Sequence, residues 1–234
     1  MPAPDPGGAA PITGAAERLV LVAGATSASG LAAARVLRGA GARVVAVGRD
    51  AERLTALGVA VPGVRTEVCD LTDEIAVTRL AERVHAAEGG VDGVLHLVGG
   101  WRGGGGLAGQ SDADYRFLEG SFTALRHVSR AFDADLRASD AGRLAVVSST
   151  AVARPLAGGA NYAAVKAATE AWARAVAQGF AKDARDAGRP LSAASTIFRV
   201  KTLDGLEDAL ARAYAGLWDA DAADVNDHII DLEN

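Results

Sequence analysis

The order in which two kinds of segment alternate constrains the fold of this chain more than anything else in it. Short apolar runs rich in Val, Ile and Leu recur at 18–23, 43–47, 65–69, 91–98, 143–148, 192–198 and 228–232. Between them lie stretches with helical patterning at 30–39, 51–57, 73–88, 112–139, 161–187 and 206–217. Runs that are apolar at consecutive positions suit strands buried on both faces. A strand, a crossover helix and a second strand close as a right-handed unit, and repeating that unit builds a parallel sheet. The expected fold is therefore α/β: a doubly wound, mostly parallel seven-stranded sheet with helices on both faces. A length of 234 residues suits one such domain.

No linker or composition shift divides residues 17–234, which read as a single domain. Residues 1–16 are rich in Pro, Gly and Ala and read as a disordered N-terminal tail. They lack the basic start and apolar core of a signal peptide. A formal charge of −5 gives no basic footprint for nucleic acid. The apolar runs are too short to span a bilayer, so no membrane partner is expected. Cys69 is the only cysteine, which excludes an internal disulfide and fits a reducing, cytoplasmic setting. One segment, 99–109, contains Trp101, Arg102 and four consecutive glycines. Glycine has nothing to offset its backbone entropy there, so the segment cannot form a regular element. It follows the fourth strand, at the edge where open α/β sheets bind ligands.

The residues with chemistry to offer gather at the same edge. Tyr162 and Lys166 are spaced i, i+4, on one face of a helix. Lysine is scarce in this chain: only Lys166, Lys182 and Lys201 are present. An ammonium beside a phenol is expected to lower the phenol pKa toward neutrality and make it a proton donor or acceptor. Ser149 ends the apolar run 144–149, thirteen residues before Tyr162, so a strand end and a loop would bring it near the phenol. Its neighbours Ser148 and Thr150 read as a core-facing and a loop residue.

The first strand runs into Gly24-Ala25-Thr26-Ser27-Ala28-Ser29-Gly30 and then an Ala-rich helix. Such a small-residue turn lets a pyrophosphate approach the backbone and the helix N-terminus. The second strand ends Gly48-Arg49-Asp50. Arg49 can hold the 2′-phosphate of NADP(H), through a permanently charged fork. Asp50 reads as the N-cap of the next helix. As a ribose ligand instead, it would leave NAD(H) open.

The set Ser149, Tyr162 and Lys166 resembles the catalytic triad of the short-chain dehydrogenase/reductase family, over about residues 17–234. The resemblance implies a Rossmann-type fold, a nicotinamide cofactor, a small-molecule substrate and a homodimer or homotetramer. Pairing through the helix at 161–187 is expected from Ala164, Ala168, Trp172, Ala175 and Val176. Carried over position by position, cofactor contacts fall on Gly24, Thr26, Ser27, Ser29, Gly30, Arg49, Asp70, Leu71, Val98, Gly99, Gly100, Val200 and Thr202. Tyr162 and Lys166 serve both cofactor and catalysis. Thr72, after Asp70-Leu71, is expected to cap the following helix. Ser121 aligns with the family's helix-four asparagine and would hold a water for a proton relay. His96 stands where an asparagine is usual and reads as an interior histidine.

The chain also departs from the family pattern. Ala23 and Ala28 replace a Thr and a Gly of the phosphate turn, and Ile197-Phe198 replaces a P-G pair. The segment from Val91 to Gly104 looks like the corresponding stretch of quinoid dihydropteridine reductases, with Trp101 lining the site. The expected activity is NADP(H)-dependent reduction of a carbonyl or related group. Two alternatives stand beside it: a dihydropteridine reductase-like enzyme, and a catalytically silent NADP-binding regulator or scaffold.

Overall fold

The computed structural model describes residues 12–233. The elements run β1 (Leu19–Ala23), α1 (Ala28–Gly39), β2 (Arg43–Gly48), α2 (Ala51–Ala60), β3 (Arg65–Val68), α3 (Glu74–Glu88), β4 (Gly93–His96), α4 (Asp112–Ala131), α5 (Asp133–Ala138), β5 (Arg143–Ser149), α6 (Ala160–Asp186), β6 (Ala194–Val200), α7 (Glu207–Ala215), α8 (Ala222–Val225) and β7 (Ile229–Leu232). The strands form one sheet in the order β3-β2-β1-β4-β5-β6-β7, and every pairing is parallel. The order reverses between β1 and β4, so a crevice opens there beyond the strand carboxyl ends.

Alternation along each strand divides the core in two. Val20 and Val22 of β1 face α1 and α7 with Leu37, Leu210 and Tyr214. Leu19, Leu21 and Ala23 face the other side with Leu80, Leu125 and Phe180 from α3, α4 and α6. All five β1 residues are buried, which is why this strand reads as a continuous apolar run.

Several boundaries differ from the expected ones. The helix expected over 112–139 breaks at Phe132, whose backbone leaves the helical region while its side chain is fully buried and meets His85 edge-on. Strand β4 is shorter than 91–98 at both ends. At its start, the Asp92 carboxylate takes the Leu19 amide and the Ser139 hydroxyl. At its end, the chain leaves the sheet for the glycine-rich loop. Strand β6 lies two residues later than expected, in register from Arg143↔Ala194 to Ser149↔Val200. The four-residue helix α8 lies in a stretch with no helical expectation. The expected tail also ends sooner than residue 16. Ala15 is buried, and the Thr13 and Gly14 amides donate to the Asp219 carboxylate. Residues 1–11 of that expected tail lie outside the described residues.

The face of α6 expected to pair with another copy is partly used within the chain. Trp172 packs edge-on against Phe122 and donates its indole N–H to Ser129 of α4, and Val176 joins the same core. Ala164 and Ala175 remain exposed. No helix among the described residues is long and apolar enough to cross a membrane.

One buried charge cluster seats α6 on the sheet beside the strand ends. Arg199 of β6 donates to both Glu170 oxygens, with the shortest contact at 2.9 Å, and the Ser148 hydroxyl donates to Glu170 Oε1 at 2.7 Å. Glu170 is only 5% exposed. Removing one partner of such a pair leaves a charge stranded away from water. The substitution Arg199→Ala should therefore cost about 3–5 kcal/mol, and the double change Glu170→Leu/Arg199→Met should recover most of it. Urea unfolding of the three proteins measures this. A loss below about 1 kcal/mol in Arg199→Ala would show that the pair does not hold the helix.

Candidate active site

Two connected clefts lie over the carboxyl edge of the sheet, on either side of the β1–β4 switch point. The first, about 1060 Å³, is bounded by the turn after β1, the end of β2 and the Asp70-Leu71-Thr72 segment. The second, about 970 Å³, is bounded by the ends of β5 and β6, the start of α6 and the glycine-rich loop. Ser27, Leu97, Val98 and Gly99 line both.

In the first cleft, Gly24 has φ +86°, and a Cβ there would lie 2.8 Å from the Val98 amide nitrogen. Only glycine fits this turn at no cost. Ser27 caps α1, its hydroxyl accepting the Gly30 amide at 3.1 Å. The helix thus begins at Ala28, two residues before its expected start, and Ala28 has no positive φ. Gly30 itself lines neither cleft. It packs under the turn, where a Cβ would strike the Ala25 carbonyl oxygen at 2.2 Å.

Arg49 reaches the same cleft, and its charge helps hold Asp70 below the ordinary carboxylate range. Hydrogen bonds from the Thr72 amide and hydroxyl are the larger cause. The expected cap at Thr72 is therefore corrected: Thr72 is tied back to Asp70, and Asp73 caps α3. Asp50 does cap α2, accepting the Arg53 amide at 3.0 Å. A side chain at Gly48 would meet Thr26 Cγ2 at 2.7 Å. The turn is thus closed to an acid at that position unless Thr26 moves.

The second cleft brings Ser149, Tyr162 and Lys166 together. Ser149 ends β5 and its hydroxyl accepts the Ala151 amide at 3.2 Å. Lys166 is buried, with Nζ donating to the Val147 carbonyl at 2.7 Å and lying 5.8 Å from the Tyr162 ring centroid. Burial pushes the Lys166 amine down to about 8. The expected lowering of the Tyr162 phenol by Lys166 is not found. Burial raises Tyr162 above its ordinary value, and the opposing influence is the Ser149 hydroxyl. The ammonium is turned to Val147 rather than to the phenol oxygen, so geometry explains the difference. Ser29, Gly100, Val200 and Thr202 line this cleft as well.

Ser121 does not join the set as expected. It lines the first cleft, and its hydroxyl donates to Leu118 within its own helix. Its backbone carbonyl accepts His96 Nε2–H at 3.0 Å. His96 is buried and stays neutral: burial first, and then the Lys166 charge, push it down to about 3.

Other residues of the site gave no signal in the sequence. Gln110 stitches the glycine-rich loop to the loop before α6, donating to the carbonyls of Gly104, Gly106 and Gly158. Its own carbonyl accepts the Asn161 amide, one residue before Tyr162. The Gly104 amide also donates to Gly158 at 2.7 Å. The 99–109 segment is thus a wall of the cleft, irregular as expected but tied down. A lone glutamine after a glycine run has no pattern that reveals such a task.

A doubly wound parallel sheet with a ligand crevice at its switch point and a Ser, Tyr, Lys set at one strand end narrows the chain to nucleotide-binding α/β proteins. The model of the short chain dehydrogenase family matches residues 18–184. An uncharacterized oxidoreductase of Mycobacterium tuberculosis is 33% identical over 217 residues, covering 91% of this chain and 83% of its own. A metagenomic short-chain oxidoreductase solved in complex with NADP is 25% identical, with a TM-score of 0.81 over 95% of this chain and 100% of that one. The NADPH-bound short chain oxidoreductase of Pseudomonas aeruginosa PAO1, described as containing an atypical catalytic center, shares the fold with a TM-score of 0.78. It is 22% identical and covers 92% of this chain and 95% of its own. The chain belongs to the short-chain dehydrogenase family and is an oxidoreductase of that class.

The buried amine gives the site a pH signature. Folding lowers the Lys166 pKa from 10.5 to about 8, so between those values the unfolded chain holds a proton that the folded one has released. Stability from this group therefore rises with pH through that window. Relative to Lys166→Met, the wild-type protein should gain up to about 3 kcal/mol between pH 8 and 10.5. Denaturant unfolding of both proteins across this range checks it. A constant difference would mean that the amine is not held in its neutral form.

Proposed function

We propose that this oxidoreductase is an NADP(H)-dependent reductase of a carbonyl or related group, working through Ser149, Tyr162 and Lys166. The observation that carries the reading is the convergence of these three residues in one cleft at the end of β5, next to the glycine turn. The residues of the first cleft suit a dinucleotide. Gly24 permits close backbone approach, the N-terminus of α1 favours a pyrophosphate, and Arg49 offers a charged fork to a 2′-phosphate. The NADP-bound metagenomic relative favours the same choice. When bound, the reduced nicotinamide supplies the hydride.

The chain's own groups supply the proton and the orientation. The Tyr162 phenol is raised by burial and so holds its proton at neutral pH, ready to give it to a developing oxyanion. The Ser149 hydroxyl, beside the phenol, orients the substrate oxygen and stabilises its charge. The Lys166 ammonium, held by the Val147 carbonyl, keeps further N–H groups free to hydrogen-bond the nicotinamide ribose. Neutral His96 adds no competing positive charge.

A second reading, a dihydropteridine reductase-like enzyme, rests on Trp101, which lines the second cleft beside the glycine loop and is 61% exposed. A flat ring could stack there. Oxidation of NADPH against ketones, quinones and a quinonoid dihydropterin separates the two readings. Turnover of the pterin alone selects the second. In either case Tyr162→Phe should lower kcat by about 10²–10⁴-fold and leave cofactor affinity within a few-fold. A kcat within about threefold of wild type would exclude Tyr162 as the acid. Tighter binding of NADH than NADPH in parallel titrations would assign the ribose end to Asp50.

A further inference from the structure

The second cleft has an electrostatic character that its catalytic set does not explain. Its charged lining residues are Arg154, Lys166 and Lys201, and no Asp or Glu lines it. This contrasts with a formal charge of −5 for the whole chain, and with the first cleft, where Asp50, Asp70 and Glu119 stand among the arginines. Lys166 is committed to the Val147 carbonyl. Arg154 and Lys201 make no ion pair or side-chain hydrogen bond with the described residues. Arg53 pairs with Asp50 and Arg102 lies over the Phe117 ring at 4.0 Å, whereas Arg49 and Arg116 of the first cleft likewise make no ion pair or side-chain hydrogen bond with the described residues. A positive wall with low-dielectric surroundings concentrates anions.

The two unpaired cations differ in position. Lys201 lies between Val200 and Thr202, at the exit of β6. Arg154 lies on the loop between Ser149 and Tyr162, which Gly158 ties to the glycine-rich wall. The same rim carries Leu156 and Trp101, both exposed, at 74% and 61%. Apolar surface flanking a single guanidinium suits a molecule with an apolar body and an acidic head.

We propose that the substrate is an amphipathic carbonyl compound bearing a carboxylate or similar anion, and that Arg154 binds that anion. This rests on the reading of the second cleft as the substrate site of a reductase. Arg154 sets orientation and specificity. The hydride and proton steps stay with the groups already described.

A matched pair of probes tests the claim. 4-Acetylbenzoate and methyl 4-acetylbenzoate share ring and ketone and differ in charge. Each is titrated by calorimetry into the full-length protein loaded with oxidised NADP, a complex that cannot turn over, at low and high salt. The acid should bind about tenfold tighter than the ester, and high salt should shrink the gap. Arg154→Ala should abolish the preference, while Arg154→Lys should keep most of it. Arg154 is exposed, so the substitution leaves the fold intact. Equal binding of acid and ester, or no binding of the acid, would overturn the proposal. So would a preference that survives Arg154→Ala but is lost in Lys201→Ala. Turnover of the two probes with NADPH is measured separately. A charge preference in binding without any turnover would count against the reductase reading and leave the anion site standing.

Discussion

The site depends on how helix α6 is seated against strands β5 and β6. That 27-residue helix carries both Tyr162 and Lys166, and Ser149 belongs to the strand beneath it. Two buried polar contacts fix the helix to the sheet: Lys166 to the Val147 carbonyl, and Glu170 to Ser148 and Arg199. The lysine and the glutamate are one turn apart on the same face. Lys166 and the anchoring Glu170 are thus held by consecutive residues of β5, Val147 through its carbonyl and Ser148 through its hydroxyl, with Arg199 of β6 completing the anchor. A shift of the helix would carry the phenol and ammonium out of register with the serine, and positioning errors of about 1 Å are enough to cost catalysis heavily.

Burial shapes the electrostatics of the same place. It keeps the Tyr162 phenol protonated, lowers the Lys166 amine to about 8 and holds His96 neutral. Each shift favours the less charged form, as desolvation requires. The cleft therefore offers one titratable cation near working pH beside a protonated acid. Farther out, Gln110 fastens the glycine-rich wall to the loop before α6. The chain achieves a defined cleft wall with a segment that has no regular structure.

Much of this was legible in the sequence, and for identifiable reasons. The five inner strands are buried on both faces, so they appear as largely apolar runs, and their alternation with helices specifies the parallel sheet. The spacing of Tyr162 and Lys166 is a helical property, and Gly24 is placed by a turn that tolerates nothing larger. What stayed hidden depends on contacts between distant segments. Phe132 breaks a helix because its ring is drawn into the core, which no local propensity reports. The raised Tyr162 phenol reflects burial and the direction in which Lys166 points, whereas spacing alone suggested the opposite shift. Ser121 was placed by alignment, but its carbonyl is taken by His96 across the sheet edge. Arg154 and Gln110 carry no motif, and only the folded loops reveal what they face.

The most direct test of the central claim is isotopic. The protein is incubated with reduced NADP deuterated at C4 and a panel of carbonyl substrates, and the products are analysed by mass spectrometry. If the Ser149, Tyr162 and Lys166 cleft is the seat of reduction, deuterium appears on the former carbonyl carbon of at least one product. It should come from one face of the nicotinamide only, because a fixed cleft presents one face. Tight cofactor binding with no label transferred to any substrate would contradict the account and make the cleft a nucleotide-binding site without chemistry.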